Sequence, residues 1–313
     1  MDFDDSPSVV CLMSPIKHIN RALETALTRH ESDTGPKLLS AAMRHAVFPG
    51  GARIRPQLTL AVAHACGDDD PALSMAAAIA IELLHCASLV HDDLPCFDNA
   101  ELRRGVPSVH RQYGERLAVL SGDALIVMAY QVVALAARHS ANRIAPLIKT
   151  ISTGVGAPHG IIAGQAWECE PQAILGDYQR AKTGALFAAA TACGAQAAGS
   201  DADTWRALGE WLGEAYQVAD DIRDVLGDTQ MLGKPAGQDV EHNRPSSARE
   251  LGLGGAVQYF DELVSKAIGS IPNCKGDAAL KMLVRHEAER LLPAAWFEKD
   301  ARLIAAGISR MAA

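Results

Sequence analysis

The chain has 313 residues, and no Pro/Gly/Ser-rich linker or shift in composition divides it, so one large domain is expected. Its net charge of -8 argues against nucleic acid or an anionic membrane surface as a main partner, so any anionic ligand must be met by local positive charge. Alanine and leucine dominate, aromatics are only 5%, and no alternating β-branched run is long enough for a sheet, which points to an all-α bundle.

The cysteines, Cys11, Cys66, Cys86, Cys96, Cys169, Cys193 and Cys274, show no paired spacing. An odd count in a chain able to bury a sizeable core reads as reduced cytoplasmic thiols. The acidic start MDFDDSPSVV is unlike a signal peptide. Glu82 and His85, or Asp123, interrupt the most apolar stretches, so no transmembrane segment is expected.

Residues 1–13 carry no clear periodicity and are expected to be mobile. Ser14 and Pro15 supply an N-cap and first-turn proline for a helix to about His30, apolar at Ile16, Ile19, Leu23 and Leu27. A second helix covers about Lys37 to Val47 and stops at FPGGARIRP, where Pro49, Gly50 and Gly51 break it. The glycines let Arg53 and Arg55 approach a ligand closely, and Pro56 starts the next helix.

A helix from Pro71 to His91 leads into IELLHCASLVHDDLPCFDNAELRRG, where Ile81, Leu84, Ser88 and His91 recur at helical spacing. Asp92, Asp93 and Asp98 then gather around a proline, and Arg103 and Arg104 follow. Carboxylates this close repel unless they are solvated or a hard cation neutralises them, and oxygen ligands without zinc-spaced cysteine and histidine favour magnesium. Magnesium completes its shell with water and phosphate oxygens, and paired arginines suit the phosphates. On this stretch alone, an acidic helix cap before a basic turn remains open. Cys86 and Cys96 flank the motif as packing residues.

A loop is expected from Gly105 to about Tyr113, then a helix from Glu115 to about Arg138 with Asp123 as its only buried-looking charge. Glycines and Pro158 between Gly154 and Gly164 should interrupt a helix ahead of Gln165 in GQAWE. AKTGALF then places Lys182 and Thr183 at the start of a run of small residues. In EAYQVADDIRDVLGD, Asp220 and Asp224 are four apart on one helix face, with Asp221 beside them and Gln217 a turn earlier. Two acidic clusters more than a hundred residues apart read as two walls of one metal-filled cavity. A glycine- and proline-rich loop from Leu232 to Asp239 carries Lys234, and helices over roughly 254–270, 276–291 and 294–310 read as packing or dimer surface.

These motifs make the chain similar to the trans-isoprenyl diphosphate synthases of the polyprenyl synthetase family. DDLPCFD, with four residues between Asp93 and Asp98, has the longer spacing of bacterial members, and DDIRD is the second motif; the resemblance runs from about Phe48 to about Asp239. In pattern it is nearest to bacterial members that supply geranylgeranyl diphosphate to carotenoid and bacteriochlorophyll synthesis. The resemblance implies the isoprenoid synthase fold, a bundle of about ten or more helices around a central cavity. It also implies Mg2+, a homodimer, and two substrates, isopentenyl diphosphate and an allylic diphosphate (dimethylallyl, geranyl or farnesyl).

By the same resemblance, Asp92, Asp93, Asp98, Asp220, Asp221 and Asp224 would hold metal. Arg55, His85 and Arg104 would orient isopentenyl diphosphate, with Gln165 near the diphosphates. Arg103, Lys182 and Lys234 would neutralise the allylic leaving group, Thr183 and Gln217 would offer dipoles to the allylic cation, and the released diphosphate would act as base. The chain departs from the pattern at Ala52, where a lysine is expected and Arg53 is the candidate substitute, at Glu168 in place of an aspartate, and at Gln238 in place of a second lysine.

A tail running back from Asp92 along its helix meets Ser88 and Ala87 at about 6–7.5 Å, then Leu84 and Ile81 at about 12 and 16.5 Å. Small residues at 87 and 88 predict a twenty-carbon product, where an aromatic would stop growth at fifteen; tight packing of Ala87 on a neighbouring helix is the other account of its size. The competing readings are a farnesyl diphosphate synthase, an isoprenoid cyclase and a non-catalytic subunit that modulates a partner synthase.

Overall fold

The computed structural model describes residues 15–48, 50–136, 140–171, 175–226 and 246–293. The expectations for residues 1–13, Ser14, Pro49, the Lys234 and Gln238 loop and the helix over 294–310 lie outside the described residues.

The first half is α1 (Pro15–Arg29), α2 (Lys37–Val47), α3 (Ile54–Ala65), α4 (Pro71–Asp92), α5 (Val109–Tyr113), α6 (Glu115–Leu135) and α7 (Ile144–Val155). It continues with α8 (Ile161–Ala166), α9 (Leu175–Gln179), α10 (Ala185–Ala197), α11 (Asp203–Leu226), α12 (Ser247–Gly269) and α13 (Asp277–Leu291). The architecture is all-α, as composition predicts. Two short strands, β1 (Leu102–Arg103) and β2 (Val106–Pro107), form a ribbon where a loop was expected. Arg104 and Gly105 connect them, both at positive φ, as the two central residues of a type I′ hairpin turn require.

α4 shows why the helices start and pack as they do. Pro71 occupies its first turn, Asp70 caps it by accepting from the Leu73 N–H at 3.3 Å, and most of its length is buried. A helix buried all round cannot show an amphipathic stripe, and α4 packs against α3, α6 and α10. α10 is also enclosed, and its residues divide between two hydrophobic clusters. Phe187 and Ala195 face the cluster of α3, α11, α12 and α13, whereas Leu186, Ala189 and Ala190 face that of α1, α2, α4, α6 and α7. Small residues make this shared wall possible: a Cβ at Gly194 would lie 2.3 Å from the Thr59 carbonyl oxygen of α3.

The interruption expected near Gly154 is real, with α7 ending at Val155 and α8 beginning at Ile161. α12 begins at Ser247, earlier than expected, but Gly252 at φ 70° breaks it, so its regular part starts where periodicity placed it. Asp123 is exposed, contrary to its buried look in the sequence, and lies 3.8 Å from His91 of α4. By length and composition α4 and α6 could each cross a membrane; the apolar window of α4 is 78% buried in the bundle, that of α6 only 39%.

The turn before α3 separates its two arginines. Arg53 takes a left-handed conformation at φ 50° and points inward, where its guanidinium donates to Glu82 Oε1 at 2.5 Å, to the Val47 carbonyl at 2.7 Å and to Asn20 Oδ1 at 3.1 Å. Its side chain is fully enclosed, so it holds the turn and presents no face to a diphosphate. That differs from the role offered for it as a substitute at position 52. Removing one partner of a buried pair leaves the other charge uncompensated, a cost of about 3–5 kcal/mol. Arg53→Ala is therefore expected to lower unfolding free energy by about that amount, read from urea titration. A loss below about 1 kcal/mol would show that the pair does not hold the turn.

Candidate active site

The long spacing in DDLPCFD has a local cause. After α4 ends, Asp98 N–H donates to the Asp92 carbonyl at 2.9 Å, and the Asn99 and Phe97 amides donate to the Leu94 carbonyl at 3.0 and 2.9 Å. The loop therefore closes on itself and returns Asp98 to Asp92. Carboxylate oxygens of Asp92, Asp98 and Glu168 all lie within 4.8 Å of one another. The donor set is all oxygen, the chemistry of a hard cation. Glu168 belongs to this group although the sequence showed it only as a departure from aspartate.

Asp93 is used differently. Its carboxylate takes a bidentate grip from Arg103, with Nε at 3.0 and 3.2 Å from its two oxygens and Nη2 close to Oδ1. Asp93 is nearly fully buried, so it anchors Arg103 and, through β1, the turn that carries Arg104.

Lys182 joins the first motif to the second. Residues Arg180–Gly184 form one turn of π-helix ahead of α10, a widened turn of the kind found at functional sites. It packs directly on α8, since a Cβ on Gly164 would lie 2.3 Å from the Lys182 backbone nitrogen. Lys182 Nζ donates to Glu168 at 2.5 Å and to Asp92 at 3.4 Å, and Tyr178 donates to Glu168 at 2.6 Å. Gln165 adds an amide donor to Asp92 at 3.3 Å and to the Ser88 carbonyl at 3.4 Å. The next residue, Thr183, donates to Gln217 of α11 at 2.8 Å, and Gln217 donates to Asp221 at 3.0 Å.

Within the second motif the carboxylates are sorted by exposure. Asp221 is buried and accepts from Gln217 and from the Ser247 N–H at 2.7 Å, which seats the start of α12 on α11. Asp224 is also buried. Asp220 is half exposed and accepts from Arg223 at 2.8 Å.

The cationic wall lies between these motifs. Arg55 Nη1 and Arg104 Nη2 approach His85 Nε2 at 3.4 and 3.5 Å, and Arg55 stacks 4.2 Å over the Phe187 ring. The Arg104 guanidinium lies against Gly51, where a Cβ would come within 2.8 Å of it. Arg55 Nε is buried with no acceptor among the described residues, and burial pulls this guanidinium below its ordinary pKa. Two guanidinium groups around one imidazole, with an orphaned donor, supply the local positive charge that the acidic chain needs for an anion. Ala87, Leu84 and Ile81 are buried on α4 and Ser88 is partly buried.

Burial, then the charges of Arg55, Arg104, Arg103 and Arg53, holds His85 well below the usual histidine pKa. The folded protein keeps His85 neutral, with Nε2 as acceptor, whereas the unfolded chain takes up a proton below about pH 6.5. A depressed histidine pKa thus contributes stability that is present above about pH 6.5 and lost as pH falls. Unfolding titrations at pH 7.5 and 5.5 are expected to show a smaller loss for His85→Gln than for the wild type; equal losses would place His85 outside the linkage.

Residues 36–278 match the family described as polyprenyl synthetase. The chain is 55% identical over 278 residues to a geranylgeranyl diphosphate synthase of Cereibacter sphaeroides, covering 89% of this chain and 96% of that protein. It is 49% identical over 280 residues to a geranylgeranyl diphosphate synthase of Rhodobacter capsulatus, covering 90% and 97%. A solved Helicobacter pylori geranyltransferase, complexed with magnesium and isoprenyl diphosphate, matches with TM-score 0.74 and 31% identity over 94% of this chain and 99% of that one. The helical bundle, the two aspartate motifs and the arginine wall between them have one common account: this chain belongs to the polyprenyl synthetase family.

Proposed function

We propose that the protein is a magnesium-dependent geranylgeranyl diphosphate synthase that condenses isopentenyl diphosphate with an allylic diphosphate. The observation that carries the reading is the run of contacts from Asp92 through Lys182 and Thr183 to Gln217 and Asp221, beside the guanidinium pair at His85. Similarity to two geranylgeranyl diphosphate synthases supports the product class.

The chemistry asks for two anion sites at unlike potentials. Breaking the allylic carbon–oxygen bond puts negative charge on the departing diphosphate, so cations must be concentrated there. Asp92, Asp98 and Glu168, together with Asp220, would hold Mg2+, which would supply charge neutralisation to that leaving group. Lys182 and Arg103 add fixed positive charge, and their carboxylate partners keep both preorganised. Arg55, Arg104 and neutral His85 hold isopentenyl diphosphate, so that its double bond meets the allylic carbon as a positioning effect. Thr183 and Gln217 turn dipoles toward the developing cation. Once the allylic carbon–oxygen bond has broken, the double bond of isopentenyl diphosphate attacks the allylic cation to form the new carbon–carbon bond, and the proton lost from the condensed cation passes to the released diphosphate.

α6 supports a homodimer. Val119, Leu120, Val127 and Leu135 are exposed on an otherwise apolar helix, and a second copy of this face would cover them. A cytoplasmic enzyme of isoprenoid synthesis is the setting that the free cysteines and the two bacterial geranylgeranyl diphosphate synthases support.

Asp92→Asn is expected to remove nearly all turnover at unchanged thermal stability, and excess chelator to abolish activity; full activity in chelator would reject the mechanism. Product analysis with each allylic primer should give mainly the twenty-carbon diphosphate, and Ala87→Phe should shift it to fifteen carbons. A folded, active Ala87→Phe enzyme that still makes the wild-type product would show that the tail does not pass this residue. Leu120→Glu combined with Val127→Glu is expected to convert a dimer to a monomer in sedimentation analysis, and an unchanged mass would exclude α6 as the interface.

A further inference from the structure

Arg223 lies inside the second aspartate motif, and the roles assigned above leave it unused. It is three residues after Asp220 on α11, with its side chain only 5% exposed, whereas that of Asp220 is 50% exposed. Its guanidinium makes three bonds to two different elements. Nε and Nη2 donate to the Leu291 carbonyl at 3.1 and 2.9 Å, and Nη1 donates to Asp220 Oδ1 at 2.8 Å. Leu291 is the last residue of α13, so its carbonyl is one of the acceptors that a helix terminus leaves without an intrahelical partner, at the negative end of the helix dipole.

We propose that Arg223 is a positioning residue that fixes Asp220 for metal binding by tying it to the C-terminal end of α13. The fork makes this assignment. Two nitrogens clamped on one backbone oxygen immobilise the guanidinium plane, and the third nitrogen then holds one oxygen of Asp220 and leaves Oδ2 for a cation. A half-exposed carboxylate without that hold would sample several rotamers, and the ordering cost would fall on metal binding. Lysine cannot do the same, because a single ammonium lacks the planar fork that spans both acceptors.

α13 is suited to serve as the anchor because it is held to α11 at a second place. Tyr216 donates to Glu287 at 3.0 Å, and Arg290 donates to Glu287 at 2.8 Å and to the Tyr216 oxygen at 2.8 Å. Tyr216 packs 4.6 Å from Phe187, the ring under Arg55. The end of α13 is thus connected to both anion sites, to one through Arg223 and to the other through Tyr216.

The inference rests on the proposed metal role of Asp220, and its test separates the two. Mn2+ serves as a spectroscopic substitute for Mg2+, with inorganic diphosphate present, and bound metal is counted by electron paramagnetic resonance on the full chain. Arg223→Lys is expected to weaken Mn2+ binding about tenfold, the usual scale for losing a residue that orients a metal ligand. Asp220→Asn is expected to weaken it at least as much, and the double variant to bind no more weakly than Asp220→Asn alone, because the lysine change acts through a ligand already lost. In metal-free protein, Arg223→Lys should speed amide hydrogen exchange in the last turn of α13.

If Asp220→Asn weakens Mn2+ and Arg223→Lys does not, or tightens it, the positioning role is overturned and the metal reading of Asp220 stands. If Asp220→Asn has no effect, both are overturned. Additive losses in the double variant would show that Arg223 acts elsewhere, and unchanged exchange at α13 would remove the anchor. Arg223→Gln, which keeps one amide donor and drops the charge, repeats the measurement should the lysine variant fail to fold.

Discussion

Repulsion between carboxylates is the constraint on which the site depends. Three of them have oxygens within 4.8 Å, and two unit charges at about 4 Å near a protein surface cost about 4 kcal/mol. A fold that gathers them must bring a cation to the same place. Among the described residues Lys182 is such a cation, bonded to Glu168 and Asp92 from a π-turn whose backbone lies against Gly164. The π-turn is thus the geometric means by which a lysine on one element and a threonine beside it address two different walls.

A second sorting acts on the arginines, and backbone conformation performs it. Arg53 and Arg104 both have positive φ, an uncommon state for residues with a Cβ. At Arg53 it turns the side chain into the core against Glu82; at Arg104 it closes the hairpin and lays the guanidinium along Gly51. One arginine holds the loop while Arg55 and Arg104 face His85, with no carboxylate bonded to either among the described residues. An arginine held in the core and one that faces His85 thus sit close together in GGARIRP.

The aspartates divide in the same way. Asp93 and Asp221 are buried and hold Arg103 and the start of α12, respectively. Asp92 and Asp98 converge, and Asp220 remains half exposed. Adjacent aspartates therefore do not act alike: one of each pair is buried against another element, while the other converges with Asp98 and Glu168 or stays half exposed.

Most of the helices were legible from periodicity and punctuation: α2 falls on Lys37–Val47, and Pro71 with Asp70 fixes the start of α4. The two aspartate motifs and the arginine pair were legible too, because chemistry that needs clustered carboxylates leaves them close in sequence. What the sequence could not decide was orientation. Arg53 and Arg55 look alike in GGARIRP, and only the path of the turn and the position of Glu82, 29 residues on, send one inward and the other to His85. Glu168 was visible but had no role until tertiary folding brought it to Asp92 and Asp98. Arg223 has no role that the sequence could suggest, since its partner is a backbone carbonyl 68 residues away, and a carbonyl carries no signature in the sequence. Local spacing is written along the chain, whereas which way a charged side chain faces depends on the counter-charge that packing places beside it.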